Sequence, residues 1–132
     1  MSTVQNEVLA KVPSRDLRAY FVWLPILKND DLAAARASAA KFPDPRITHF
    51  WDGDKALGWA LGELLKLPAR DPGHPHGVAW DAYLLYAPGL HWKKTPPLPT
   101  YWMHQLWGAD ELAPLLDGVK FREQVEGVVK KK

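Results

Sequence analysis

The chain has 132 residues, 47% hydrophobic and 24% charged, a formal net charge of +2 and no cysteine. That length and balance describe one globular domain with a single core. They exclude thiol–disulfide chemistry, cysteine-based zinc binding and the strongly basic surface of a nucleic-acid binder. Seven Trp and twelve Pro point to large aromatic packing units joined by stiff turns. No apolar run approaches the roughly 20 residues of a membrane span. The first twelve residues, with Asn6, Glu7 and Lys11, lack the apolar stretch of a secretory leader, so a cytoplasmic location is expected.

In chain order, Val4, Val8, Leu9 and Val12 recur at helical spacing, with Ser2 as the cap, Gln5 as its capping-box partner and Pro13 as the stop. Residues 19–27 (AYFVWLPIL) form a nearly continuous apolar run, the pattern of a strand buried on both faces. Asn29 and Asp30 cap a helix with Leu32, Ala35, Ala39 and Phe42 on one face, ended by Pro43. Residues 46–51 (RITHFW) are a second strand. Asp52 or Asp54 then caps a helix whose buried stripe is Leu57, Leu61, Leu64 and Leu65, and Pro68 ends it.

Residues 69–78 (ARDPGHPHGV) read as a loop from their Pro and Gly content. Residues 80–86 are a third strand, and Pro88-Gly89 turns the chain into a short fourth strand around residues 90–93. Residues 95–99 are extended, residues 101–107 form a helical turn, and Asp117 opens a last helix with Phe121, Val125, Val128 and Val129. Lys130, Lys131 and Lys132 are a solvated tail favoured by the negative end of that helix. The expected class is α/β. A strand–helix–strand crossover makes the first two strands parallel, the hairpin adds an antiparallel pair, and helices cover both faces of a sheet of about four strands.

With the words FWDGDKALGWALGELL and WDAYLLYAPGLHW, this order resembles the thioredoxin-like superfamily, in particular its peroxiredoxin and TlpA-like branch. It is also similar to a bacterial thioredoxin-like group with FVW-P-L, FWD, WD-YLLY and WMHQL segments. The resemblance covers about residues 4–107 and implies a central sheet closed by a C-terminal hairpin. It also shows what is different here. In that superfamily a strand precedes the redox helix, a cysteine motif opens that helix, and a cis-proline faces the motif. This chain begins near Val4 at what corresponds to the redox helix, and the cis-proline stretch reads Gly77, Val78, Ala79, Trp80, Asp81. Redox activity is therefore not inherited from the resemblance.

Open α/β sheets bind ligands at the carboxyl ends of their parallel strands. That rim is expected to gather Asp30, Asp52, Asp54 and Asp81 beside Trp51 and Trp80. Carboxylates against aromatic surface can bind a cation or serve as a base with a raised pKa; equally, Asp30, Asp52 and Asp54 stand where helix caps stand. Asp81 is unusual at a strand position; it belongs to the site, caps a turn, or pairs with Arg46 or Arg70. The Tyr101, Trp102, Met103, His104, Gln105 segment lines a pocket or partner groove, or else packs the open flank of the sheet. His74 and His76 flank Pro75 and are weak metal candidates without a third ligand, which only Asp71, His91 or His104 could supply. His49 is a packed or surface histidine within its strand. Neither a metal nor another cofactor is expected, and nucleic acid and membrane are not expected partners.

These readings lead to a redox-inactive thioredoxin-like module that binds a protein or small molecule. One alternative is a fragment or divergent subunit of a thiol-redox protein whose cysteine motif lies outside this chain. Another is an acid/base enzyme using Asp81 and His104. In the thioredoxin-like arrangement the strand before the cysteine motif sits between the strands at 19–27 and 80–86. Those strands are then expected to pair directly, to share an edge with a second copy, or to leave the place to another protein. A homodimer is the expected answer.

Overall fold

The computed structural model describes residues 1–130, so Lys131 and Lys132 of the expected tail lie outside the described residues. The chain runs through a π-helix (Val4–Leu9), β1 (Ala19–Trp23), α1 (Leu32–Ala39), β2 (Ile47–Trp51), α2 (Ala56–Leu64), β3 (Ala82–Leu85), β4 (Tyr101–His104) and α3 (Gly118–Lys130). It is mixed α/β. β1 and β2 pair in parallel from Ala19 opposite Ile47 to Trp23 opposite Trp51. β3 and β4 pair antiparallel, with Ala82 opposite His104 and Leu85 opposite Tyr101.

The first helix starts differently from its expected capping box. Ser2 and Thr3 are already helical, and no side chain caps the start. The Gln5 Oε1 atom is buried and, among the described residues, has no hydrogen-bond partner. The helix is wound wide: the Ala10 N–H donates to the Gln5 carbonyl at 2.9 Å, five residues back. The carbonyls at its end are held by Arg46, which reaches Leu9 O and Val12 O at 2.6 Å and Ser14 O at 3.3 Å. Asp44 fixes the same guanidinium at 2.8 Å. The Arg46 charge therefore serves Asp44 rather than Asp81, and Arg70 donates to the Trp107 carbonyl instead.

At α1 the cap falls one residue later than expected. Asp31 accepts the Ala34 N–H at 2.7 Å, while Asp30 accepts from Ile26 and Leu27 and shapes the turn before it. Ala35 is the only buried residue of the helix. Phe42 packs beyond the helix end, edge-on to Phe21 at 5.4 Å. In α2, Leu61 and Leu65 are buried as the stripe required. The helix also uses Gly58 and Gly62, against which residues 77–79 lie: Ala79 N–H donates to Gly58 O at 2.9 Å.

The second hairpin arm corrects the sequence reading. Residues 90–95 are exposed and belong to no strand, and β4 is the segment expected to be a helical turn. Tyr101 and Met103 pack with the π-helix and α3, whereas Trp102 packs with α2. That alternation is the period of two of a strand with both faces covered. β1 is also shorter than its apolar run. It ends at Trp23, two residues before Pro25, and Tyr20 is 64% exposed with Phe50 50% exposed beside it, so only the Phe21 face is buried.

Helices cover the two faces of β3 and β4. Val8, Val12, Leu85, Met103, Phe121 and Val125 form one cluster; Leu61, Leu65, Leu67, Ala79, Leu106 and Ala109 form the other. A third cluster joins the π-helix to β1 and β2 through Leu9, Phe21 and Ile47. The strands, however, make two separate two-stranded sheets instead of one sheet of four. β1 and β3 do not pair with each other, although the π-helix packs on both.

Candidate functional site

The end of β2 continues through Asp52, whose N–H donates to Trp23 O at 2.8 Å, before Lys55 turns the chain at φ 60° into α2. No residue precedes α2 with both a cap side chain and cap backbone, so two carboxylates share the task. Asp52 Oδ2 accepts the Gly58 N–H at 2.9 Å and Asp54 Oδ1 accepts the Ala56 N–H at 3.1 Å. These are the orphan donors of a helix start, and negative charge is favoured there by the helix dipole. The Trp51 indole folds over Gly53. Through the Ala79–Gly58 bond, Trp80 and Asp81 are brought to the same end of the molecule.

Asp81 is not a strand residue. It lies just before β3 at φ 48°, a left-handed conformation that Asp and Asn adopt more readily than most residues. Its carbonyl accepts the Gln105 N–H at 2.9 Å. Partial burial pushes its carboxyl above the usual carboxylate range, opposed by the α-ammonium of Met1. Its charge acts on Tyr83, whose phenol is pushed up first by burial and then by Asp81. Burial lowers the Met1 ammonium, and Asp81 opposes that shift.

This raised carboxyl has a calculable sign. A folded-state pKa above the unfolded value, about 4 for Asp, means that its stabilising contribution is complete only below that pH. The contribution is lost as pH rises through the folded pKa. Asp81→Asn keeps the left-handed backbone and removes the charge. Because one flank of Asp81 is exposed and screened, the expected gain at pH 7 is small, below about 0.5 kcal/mol, and it vanishes near pH 3. Urea unfolding at the two pH values checks this. A parent chain more stable than Asp81→Asn at pH 7 would mean that attraction to the ammonium outweighs burial.

His104 pairs directly with Ala82, the residue after Asp81, and is fully buried. Its Nδ1 accepts the Leu106 N–H at 3.0 Å and its Nε2 donates to Ala113 O at 2.8 Å. Asp110 stands 3.9 Å from Nε2. Both ring nitrogens are therefore occupied in holding residues 104–116 against β4, where His104 N–H also donates to Pro114 O. A proton shuttle between His104 and Asp81 has no free nitrogen to use. Tyr101 lies at the opposite end of β4, its ring 6.4 Å from that of Phe121. Trp102 is half-buried against α2. Asp52 and Asp54 thus stand at the start of α2, the segment leading into Trp80 and Asp81 is bonded to its first turn, and Tyr101 lies at the far end of β4.

His76 Nδ1 lies 3.2 Å from Leu67 O, and His74 stacks on Trp59 with ring centroids 4.0 Å apart. With Glu63 and Pro75 they line a shallow cleft of about 280 Å³. No group of three or more His, Cys, Asp or Glu side chains among the described residues could hold a metal ion. Sequence reasoning missed the Trp59–His74 stack, which spans a loop and leaves no local periodicity. It also missed the role of Arg46. No family model, curated protein or solved structure matches this chain. Among the described residues, no helix is long and apolar enough to cross a membrane.

Proposed function

We infer that this chain is a redox-inactive, thioredoxin-like binding module, in keeping with a cytoplasmic setting. One observation carries the reading. Three of the side chains expected to do chemistry are already committed to structure: Asp52 and Asp54 to the start of α2, and both nitrogens of His104 to backbone groups. Meanwhile the two strand pairs keep edges, and β1 and β2 keep an aromatic face, that the fold does not cover. Uncovered apolar surface of this kind is where proteins meet partners.

A second reading, as part of a thiol-redox protein whose cysteine motif lies elsewhere, is favoured by a single feature. β1 and β3 leave unpaired the position that a strand before the cysteines takes in the resembling family. The purified chain is expected to show no insulin-disulfide reduction and no peroxide turnover with any reductant. It should also respond to a bound peptide or small molecule by a raised melting temperature in a thermal-shift screen. Turnover above a heat-killed control would overturn the binding reading.

A further inference from the structure

The pairing register shows which backbone groups β1 and β3 leave open. Ala19 N–H donates to Arg46 O, and Trp23 O accepts from Asp52 N–H, so Ala19, Phe21 and Trp23 direct their amides and carbonyls at β2. In a parallel ladder the alternate residues point the other way. Tyr20 and Val22 therefore form the outer edge of β1. On β3, Asp81 O and Leu85 O accept from Gln105 and Thr100, so Ala82 and Leu84 form its outer edge. Among the described residues, neither edge is joined to another strand.

Both edges lie beside the same two helices. On one face Val4 and Leu17 pack against both the cluster holding Leu85 and the cluster holding Phe21, so the first helix and its exit span β1 and β3. On the other face a Cβ at Gly58 would meet Leu24, just after β1, and Val78, just before β3, so the start of α2 also spans them. The end of β1 thus lies near the start of β3, and the two edges run in opposite directions. Two strand edges left unpaired beside the same helices present rows of donors and acceptors that water or a third strand must satisfy.

We propose that β1 and β3 together accept one extended strand of a second polypeptide, rich in β-branched residues and bound by β-augmentation on both of its edges. This rests on the binding reading above and names its partner. The incoming strand runs parallel to one neighbour and antiparallel to the other, and its side chains alternate between the face packed by the first helix and the more open face beside Tyr20, which favours β-branched residues that suit a half-buried strand. A second copy of this chain is a poor donor. Its described strands are all paired, and its extended stretch before β4 carries Pro96, Pro97 and Pro99, which lack the amide hydrogens a ladder needs.

The test is residue-resolved amide exchange by NMR on the full chain, with and without an end-blocked peptide, Lys-Val-Thr-Val-Thr-Val-Lys. The control is the same peptide N-methylated at alternate residues. The peptide is expected to slow exchange at Tyr20, Val22, Ala82 and Leu84 at least tenfold, and the N-methylated peptide to leave them unchanged. Slow exchange at these four amides in the free monomer would mean the edges already pair, and overturns the proposal. So does an absence of added protection at millimolar peptide, or equal protection by the methylated control. Protection that instead grows with protein concentration alone, with a dimer in sedimentation, assigns these edges to a second copy and also overturns it. A thermal-shift ligand that binds without protecting these amides would sink the strand acceptor and leave the binding reading standing.

Discussion

Replacing Arg46 with Met is expected to cost about 3 kcal/mol. The Met stem retains most of the apolar contact of the Arg stem. What goes is a guanidinium that serves Leu9 O, Val12 O and Ser14 O while gripping Asp44 through two nitrogens. The first helix has no cap at its start and ends without a glycine, so these carbonyls have no second partner in reserve. Leaving buried carbonyls unmet costs roughly 1–3 kcal/mol each when solvent cannot replace the donor. Arg46→Lys should recover only part of the loss, because one ammonium cannot span the three carbonyls and Asp44 as a planar fork does.

The same variant carries a pH signature. The Arg46 guanidinium beside Asp44 holds that carboxyl below the usual range, through side-chain and backbone hydrogen bonds. A depressed folded pKa contributes stability above the unfolded value, about 4, and that contribution is lost as pH falls through the folded pKa. The parent should therefore lose stability on acidification below about pH 4 more steeply than Arg46→Met. Urea midpoints across that range measure both effects. A loss under about 1 kcal/mol at pH 7 would show that water caps the helix end as well as Arg46 does.

Gly62→Ala should be as damaging, by about 3 kcal/mol or more, for a different reason. A Cβ there would overlap the carbonyl oxygen of Gly77, which is backbone and cannot rotate away. Gly77 is itself pinned by its N–H to Leu67 O at 3.2 Å, and Leu67 N–H donates to Gly62 O at 2.9 Å. The segment leading into Trp80 and Asp81 must lift off α2 to make room. Gly127→Ala is the matched control. It lies within α3 with nothing near its would-be Cβ, and it should stabilise by about 0.5–1 kcal/mol through helix propensity alone. Chemical unfolding of both variants decides whether α2 is held by its leucine stripe or by this close backbone approach. Equal stability for Gly62→Ala and the parent would mean that residues 67–79 repack freely.

Much of the architecture was written in local signals. The order from the first helix through β3, the stops at Pro13 and Pro43, the burial of Leu61 and Leu65 and the Asp117 start of α3 follow from spacing and capping, which depend on neighbours a few residues apart. Asp117 indeed accepts the Lys120 N–H at 3.0 Å. The absence of any thiol is likewise a property of composition. Three things were decided only by tertiary packing. Residues 101–104 are too short for periodicity to separate a helical turn from a strand, and became β4 because one face meets α3 and the other α2. Gly58 and Gly62 act as the surface on which residues 77–79 rest, a role that spacing along the helix does not signal. β1 and β3 stay unpaired while the first helix and α2 each pack on both strand pairs, a long-range arrangement that no stretch of sequence encodes by itself.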